Sequence, residues 1–414
     1  MSDDDAKWAQ LREEFYLPPG QIYLDGNSLG LLNRRAEAAT LQALAAWGAG
    51  GISGWEDVGW IDLAERTAAT LAPLIGASPA AVGVMAQTTV NLHQLLATLF
   101  DPTHASRRVI VADELNFASD THAIHSHLRQ RGLDPATHLR CIKSPDGFTL
   151  RTTDILATMR DDVQLMVLPS VLYVSGQLLD LAAITRAARE REILIGWDLS
   201  HSIGAVPHEL EAQGADFAFW CNYKYLNAGP GAVGGLFLHP RHHDRAPGLA
   251  GWWGVRPDQR FSLHAEHVPA PGAARLQIGT PSILGLAPLT GSLALFAAAG
   301  GIAAVRDRSL ALTAHLLSRA DTELAALGFS IVTPRDAADR GGHIALAHPS
   351  AGQICPALRA AGVVPDYRHP AVLRLAPVAF YTTRADIDQA IDRLIEIMRT
   401  NAHHAWPPVE TAAP

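Results

Sequence analysis

Apolar positions follow two rhythms along this chain. Between residues 82 and 239 short, almost unbroken apolar runs recur: VGVM (82–85), RVIVAD (108–113), DVQLMVLPS (162–170), ILIGWD (193–198), ADFAFWC (215–221) and AVGGLFLH (232–239). Helical stretches such as LAAITRAARERE (181–192) lie between them. Short β-rich runs alternating with ten-residue helical runs predict βαβ units, an α/β fold and a mainly parallel sheet. Runs as continuous as ILIG and LMVL predict strands covered on both faces.

From residue 281 the rhythm changes. Pro281 and Pro288 precede an Ala/Leu-rich helical tract (289–305), then a second helix (307–327), short strands at FSIVT and GHIALAH, and an amphipathic terminal helix, RADIDQAIDRLIEIMRT (384–400). This predicts three parts: residues 1–50, packing beside the smaller unit or reaching to a partner; a large domain, 51–280; and a smaller α+β domain, 281–414. The ends, MSDDD and PPVETAAP, are expected to fray.

Composition narrows the class. Of 414 residues 48% are hydrophobic and 18% charged, enough for a sizeable core. The net charge of −8 argues against a nucleic-acid surface. Cys141, Cys221 and Cys355 form no CxxC pair, which predicts a reducing cytoplasm without disulfides. The acidic N-terminus lacks a signal pattern, and the most apolar stretch (293–305) is too short to span a membrane. Two histidine clusters, HAIHSH (122–127) and HPRHHD (239–244), lack acidic residues at ligand spacing and are expected on solvated helix faces rather than at a metal.

Candidate chemistry gathers where strands end. ILIGW ends in Asp198, with His201 three residues on; ADFAFWC runs into Tyr223 and Lys224; VGVM leads to Thr88-Thr89 at a helix start. In open α/β sheets ligands sit at the carboxyl ends of strands, and free N–H groups at a helix start suit a phosphate. Each residue alone has a plain reading: Asp198 and the threonines as caps, Phe117 as core, Lys224 as a solvated amine. Together a lysine, an acid and a phosphate seat match the needs of pyridoxal phosphate. Asp198 precedes Lys224 by 26 residues, room for one helix and one strand.

Six segments carry a family resemblance: YLDGNSLGLL (23–32), TTVNLHQLL (88–96), GWDLSHSIGAVPHEL (196–210), FAFWCNYKYLNAGPGAVGGLFLH (217–239), GWWG (251–254) and LRLAPVAFYTT (373–383). Spread in family order over nearly the whole chain, they resemble kynureninase, a fold-type-I pyridoxal-phosphate enzyme. The resemblance implies a seven-stranded-type sheet and a homodimer with shared active sites. It implies that Lys224 carries pyridoxal 5'-phosphate, that Asp198 pairs with the ring nitrogen and that His201 lies beside the ring. Phe117 would stack on the ring, and Thr88, Thr89, Asp120 and Tyr223 would help hold the cofactor. Trp252 and Thr280 would complete the phosphate site from the neighbouring subunit, and Arg374 would receive the substrate α-carboxylate.

Trp55 and Trp253 fall where the family lines its aryl pocket, and with Thr280 they suggest kynurenine rather than 3-hydroxykynurenine as substrate. The implied reaction, in tryptophan catabolism, is hydrolysis of L-kynurenine to anthranilate and L-alanine, with Lys224 as the base and Tyr223 as proton donor or relay. The competing reading is a cysteine desulfurase or aminotransferase on the same fold. A desulfurase needs a mobile thiolate; Cys355, in SAGQICPALRAAG, reads instead as a buried residue in a helix's first turn.

Overall fold

The computed structural model describes residues 3–407; the predicted fraying of Met1, Ser2 and residues 408–414 lies outside them. Within MSDDD, a helix already begins at Asp3.

Seven strands form the large sheet: β1 (Val82–Val84), β2 (Val109–Asp113), β3 (Leu139–Ile142), β4 (Val163–Pro169), β5 (Leu194–Asp198), β6 (Phe217–Cys221) and β7 (Gly234–Leu238). Their spatial order is β1-β7-β6-β5-β4-β2-β3. β7 runs antiparallel to both its neighbours and the other pairs are parallel. Every residue of β2, β4, β6 and β7 is buried, as their unbroken apolar character requires. The edge strand β3 is only half covered, and the apolar pattern gave no sign of it.

A second sheet holds β8 (Ser330–Ile331), β9 (Ile344–Ala347), β10 (Asp366–Arg368) and β11 (Val372–Leu375), antiparallel throughout. Helices Ala351–Ala360 and Arg384–Arg399 cover it. The latter starts with a capping box, Thr383 with Asp386. Arg12 also reaches Asp386 at 2.8 Å, tying the N-terminal helix to the last one.

The helical tract expected over 289–305 runs from Ile283 to Ala299, with Pro288 inside it, and stops at Gly300 in a left-handed conformation (φ 95°). Pro288 forfeits one backbone hydrogen bond, yet the helix persists because burial stabilises it. It carries no charge, and its inward residues join the same core as the large sheet. Most buried apolar side chains from Leu312 onward join the second core, with Ile22 and Leu24, while Val378–Tyr381 return to the first. The segment from 281, expected in the smaller unit, thus begins in the larger core. The N-terminal segment touches both units: helix Arg34–Gly50 packs along helix Ile283–Ala299, and Ile22–Tyr23 pairs in parallel with Val363–Val364.

Each histidine cluster departs from expectation in one member. His127 is buried edge-on to Phe100 (5.6 Å), and burial pulls its pKa down to about 4. His242 is buried 2.6 Å from Asp216, a partner that sequence spacing does not reveal. Among the described residues no single helix is long and apolar enough to cross a membrane.

Candidate active site

Register brings the chemistry together. Pro169 of β4 pairs with Asp198 of β5, and Asp198 with Phe219 of β6, so neighbouring strands end along one edge of the sheet. Lys224 follows β6 by three residues, in a turn that closes at Asn227, whose φ of 54° is left-handed. Two bonds set the turn: the Asn222 side-chain amide donates to the Val233 carbonyl at 2.6 Å, and the Gly30 N–H donates to the Tyr223 carbonyl at 2.7 Å.

A Cβ at Gly30 would lie 2.3 Å from the Lys224 carbonyl oxygen, and one at Gly26 would lie 2.2 Å from the Tyr381 hydroxyl. The motif YLDGNSLG is therefore the floor beneath the lysine turn. Its glycines allow two backbone segments to touch.

A cavity of about 300 Å³ opens at this edge. Gln87, Thr88, Thr89, Phe117, Asp120, Asp198, His201, Tyr223 and Lys224 all line it, as do Ser119, Tyr173 and Cys221, which sequence reasoning did not single out as site residues. Thr88 opens a twelve-residue helix whose N-cap, Gln87, is extended and makes no side-chain cap. Its first N–H groups are thus available to an anion. Phe117 is half exposed and meets the Tyr173 ring edge-on at 5.6 Å.

Charge and burial oppose one another around Lys224. Its amine lies 2.8 Å from His201 Nε2. Burial lowers the Lys224 pKa, while Cys221 and Asp198 raise it. Burial and the neighbouring ammonium hold His201 neutral, well below the ordinary imidazole range. Burial also raises Asp198, against the Ser200 N–H, which donates to its Oδ1 at 2.8 Å. Asp120 is driven well upward by burial, then by Asp198 and Asp113, and its Oδ2 has no partner. Asp113, also buried, is raised to about 7.

Buried carboxyl groups with an orphaned oxygen call for a cation or a proton donor. A flat, protonated heteroaromatic ring with a phosphate at the helix start fits these walls.

Arg374 lies behind Tyr173 and is fully buried. Its Nη1 donates to the Tyr173 carbonyl at 2.6 Å, and Nη2 bonds Ser28 Oγ and the Asp366 carboxylate. Both Nη groups are committed, and only Nε is buried without a partner.

Besides Arg374, four predicted residues do not line the cavity within one protomer. Trp253 is buried beneath the Arg260 guanidinium (4.2 Å) and meets Trp55 at 5.3 Å. Trp55 borders a separate hollow with Trp47 and Leu284. Trp252 is 43% exposed and donates its Nε1–H to the Arg260 carbonyl. Thr280 shares a neighbouring hollow with Gln87. Cys355 is buried in the second turn of its helix, its thiol pushed up to about 11 by burial, the reverse of a reactive thiolate.

Residues 305–394 match the family model described as the kynureninase C-terminal domain. The kynureninase of Geobacillus thermodenitrificans (strain NG80-2) is 49% identical, over 96% of this chain and 93% of that protein. That of Bacillus thuringiensis subsp. konkukian (strain 97-27) is also 49% identical, over 93% of this chain and 90% of that one. Among solved structures, a C-DES mutant with glycine covalently linked to its PLP cofactor aligns with a TM-score of 0.81 at 16% identity, over 93% of this chain and 99% of that one. An apo cysteine desulfurase from Thermococcus onnurineus NA1 aligns at 0.79 and 18%, over 95% of this chain and 98% of that one. At such identities the structures speak for the fold alone.

Proposed function

The chain belongs to the kynureninase family, which makes it a pyridoxal-phosphate-dependent hydrolase, and from that premise we propose how its own residues perform the hydrolysis of L-kynurenine to anthranilate and L-alanine. One observation carries the residue assignment: a single cavity is walled by the Lys224 amine, the Asp198 and Asp120 carboxyl groups and an uncapped helix start.

In this reading Thr88, Thr89 and the first N–H groups of their helix seat the phosphate, with Tyr223 beside it. Phe117 would cover one ring face and His201 would flank the ring. Asp198 would pair with the ring nitrogen, its negative charge favouring the protonated form. Bound pyridoxal phosphate supplies an electron sink for the substrate α-carbon. Lys224 would hold the cofactor through its amine, and the same amine, when free, is placed to take the substrate α-proton. Burial suits it to that task, since an amine with a lowered pKa is more readily the neutral base. Tyr223 stands next in the chain to relay a proton, and burial raises its pKa, which keeps the phenol protonated until it is needed. Water adds to the γ-carbonyl and the Cβ–Cγ bond breaks, leaving the aryl carboxylate; one proton passes to Cβ, one returns to Cα to complete alanine, and one is released.

The desulfurase alternative lacks its thiolate, because Cys355 is buried and raised. We also propose a homodimer in which Trp252 and Thr280 serve the partner's phosphate site and Trp55 its aryl pocket. In support, Trp47, Ile52, Trp252, Phe261, Leu263 and Leu284 are all exposed, and Trp252 meets Phe261 edge-on at 5.8 Å, apolar surface of the kind a subunit contact covers. Trp55 and Trp253, with Thr280, support kynurenine over 3-hydroxykynurenine as the preferred substrate. Three unpaired cysteines fit a reducing cytoplasm.

The test loads the protein with pyridoxal phosphate, supplies kynurenine or 3-hydroxykynurenine, and follows the aromatic amine. Cofactor-loaded protein that forms neither product, or that releases sulfide from cysteine instead, overturns the reading.

A further inference from the structure

Three buried imidazole nitrogens lack partners among the described residues around Lys224: Nδ1 of His201 and both ring nitrogens of His343. His343 is fully buried and stands one residue before β9, so the small sheet delivers it. Its ring meets that of His201 edge-on, with centroids 5.8 Å apart. The loop after β4 holds it there. The Gly341 N–H donates to the Gly176 carbonyl at 2.8 Å, and the Leu178 N–H donates to the Asp339 carbonyl at 2.8 Å. Gly176 has a φ of 76°, and a Cβ on it would lie 2.6 Å from the His343 carbonyl oxygen, so only glycine lets the two segments meet. The Tyr173 carbonyl also faces His343, but it makes no well-formed bond to the ring and accepts from Arg374 Nη1 at 2.6 Å.

Counting donors and acceptors decides what His201 needs. Its Nε2 lies 2.8 Å from the Lys224 amine. A protonated amine has donors only, so Nε2 must accept from it. Burial, with the charges of Lys224 and Arg374, holds His201 neutral, so its one ring proton sits on Nδ1. A buried N–H without an acceptor is costly. His343 is held neutral as well, by burial and Arg374, and a neutral imidazole always offers one acceptor nitrogen.

We infer that His343 is a positioning residue: one of its ring nitrogens accepts from the His201 Nδ1–H, directly or through one ordered water, and so keeps His201 Nε2 as the acceptor that faces Lys224. The consequence for catalysis, a set basicity of Lys224, rests on the kynureninase reading above; the placement of the His201 proton does not. Without His343 the proton of His201 can move to Nε2, where it would point at the ammonium and weaken its hold on its own proton. Lys224, Arg374, Arg368 and Tyr173 face the two imidazoles, and the guanidinium groups stay charged from about pH 6 to 9.

Two measurements on the full-length protein test this. Nitrogen-15 imidazole NMR, before pyridoxal phosphate is added and with His201 assigned from H201Q, should find the proton on Nδ1 in wild type and H343Q, and divided between both nitrogens in H343L. A proton on Nε2 in wild type, or no change in H343L, overturns the inference. The second measurement follows covalent loading of Lys224 with pyridoxal phosphate by absorbance across pH. Its midpoint should fall by about one pH unit in H343L, through loss of a hydrogen bond that favours the ammonium. H343Q, whose side-chain oxygen still accepts, should stay near wild type. In an H201L background H343L should add no further shift. An unshifted midpoint in H343L, or the same shift with and without His201, also overturns the inference. Thermal melts check folding; where H343L fails that check, H343M takes its place. Wild type that takes up no pyridoxal phosphate at Lys224 overturns the enzyme reading, while the NMR comparison still decides the role of His343.

Discussion

At Lys224 a single charge sits in a half-buried turn, and among the described residues no carboxylate lies within bonding distance; its near neighbour is the neutral His201 at 2.8 Å. An amine so placed costs stability unless it is used, which is what the isolated lysine in FWCNYKYLNAGPG signalled. Lys224→Ala is expected to abolish the visible absorbance of bound cofactor and nearly all turnover while the protein stays folded; near-normal turnover would end the assignment. Asp198→Asn keeps an oxygen for the Ser200 N–H but removes the charge at the ring-nitrogen seat. We expect kcat to fall by about 100-fold or more, with no loss of melting temperature, since a charge raised by burial is being deleted. Wild-type kinetics would reduce Asp198 to a cap. The residues that sequence made visible here are those with unusual chemistry for their place. Tyr173 was not visible, because a tyrosine in VLYVSG looks like any other core aromatic, and neither was the commitment of Arg374, because Asp366, Ser28 and Tyr173 meet it only through the fold.

Elements were read best where one apolar rhythm decides them. β2, β4, β5 and β6 fall within their predicted runs. Strand direction is not in the apolar pattern, and β7 comes out antiparallel to β6 because the GPG loop turns the chain straight back, without a crossover helix. The family resemblance flagged YLDGNSLG without saying why its glycines matter; contact with the lysine turn supplies the reason. Gly30→Ala is expected to cost about 1–3 kcal/mol in urea melts and to loosen the cofactor, as overpacking against backbone does. Gly48→Ala, in helix Arg34–Gly50 with open space around it, is the control and should change stability little or raise it. A melt of Gly30→Ala matching wild type would deny the floor its role. The loop after β5 carries a second consequence. His208 is buried, its Nε2 2.8 Å from Ser202 Oγ, and burial lowers its pKa to about 4. Its folded pKa lies below the unfolded value, so the unfolded chain takes up a proton that the native state refuses. This part of the stability is complete above about pH 6.5 and declines as pH falls toward 4, by about 2 kcal/mol at pH 5. Urea melts at pH 7.5 and pH 5 should show that difference in wild type and less of it in His208→Gln; equal slopes in both would exclude His208.

On the scale of the molecule, one chain builds the cofactor cavity yet leaves Trp55, Trp252 and Thr280 off its walls. Two arrangements account for this. Either these residues serve the partner's site across a two-fold axis, or they are structural in their own protomer, as Trp253 is beneath Arg260. Thr280 keeps the choice open, because it lies beside Gln87 and so near its own helix start. The exposed apolar side chains around Trp47, Ile52, Trp252 and Phe261 favour the first arrangement, since water is a poor neighbour for so much ring and branched surface. Shared sites would make cofactor binding stabilise the dimer by linkage. They also make complementation possible. A Lys224→Ala chain still offers Trp252 and Thr280 to its partner, and a Trp252→Ala Thr280→Ala chain still offers Lys224. Each is expected to be inactive alone. After subunit exchange every heterodimer holds one intact site, so random mixing should restore roughly a quarter of the wild-type sites. Activity near that fraction, with dimers in sedimentation, supports the shared site. Proven exchange without recovery, or a fully active monomer, refutes it, and would return Trp252 and Thr280 to the scaffold of their own subunit.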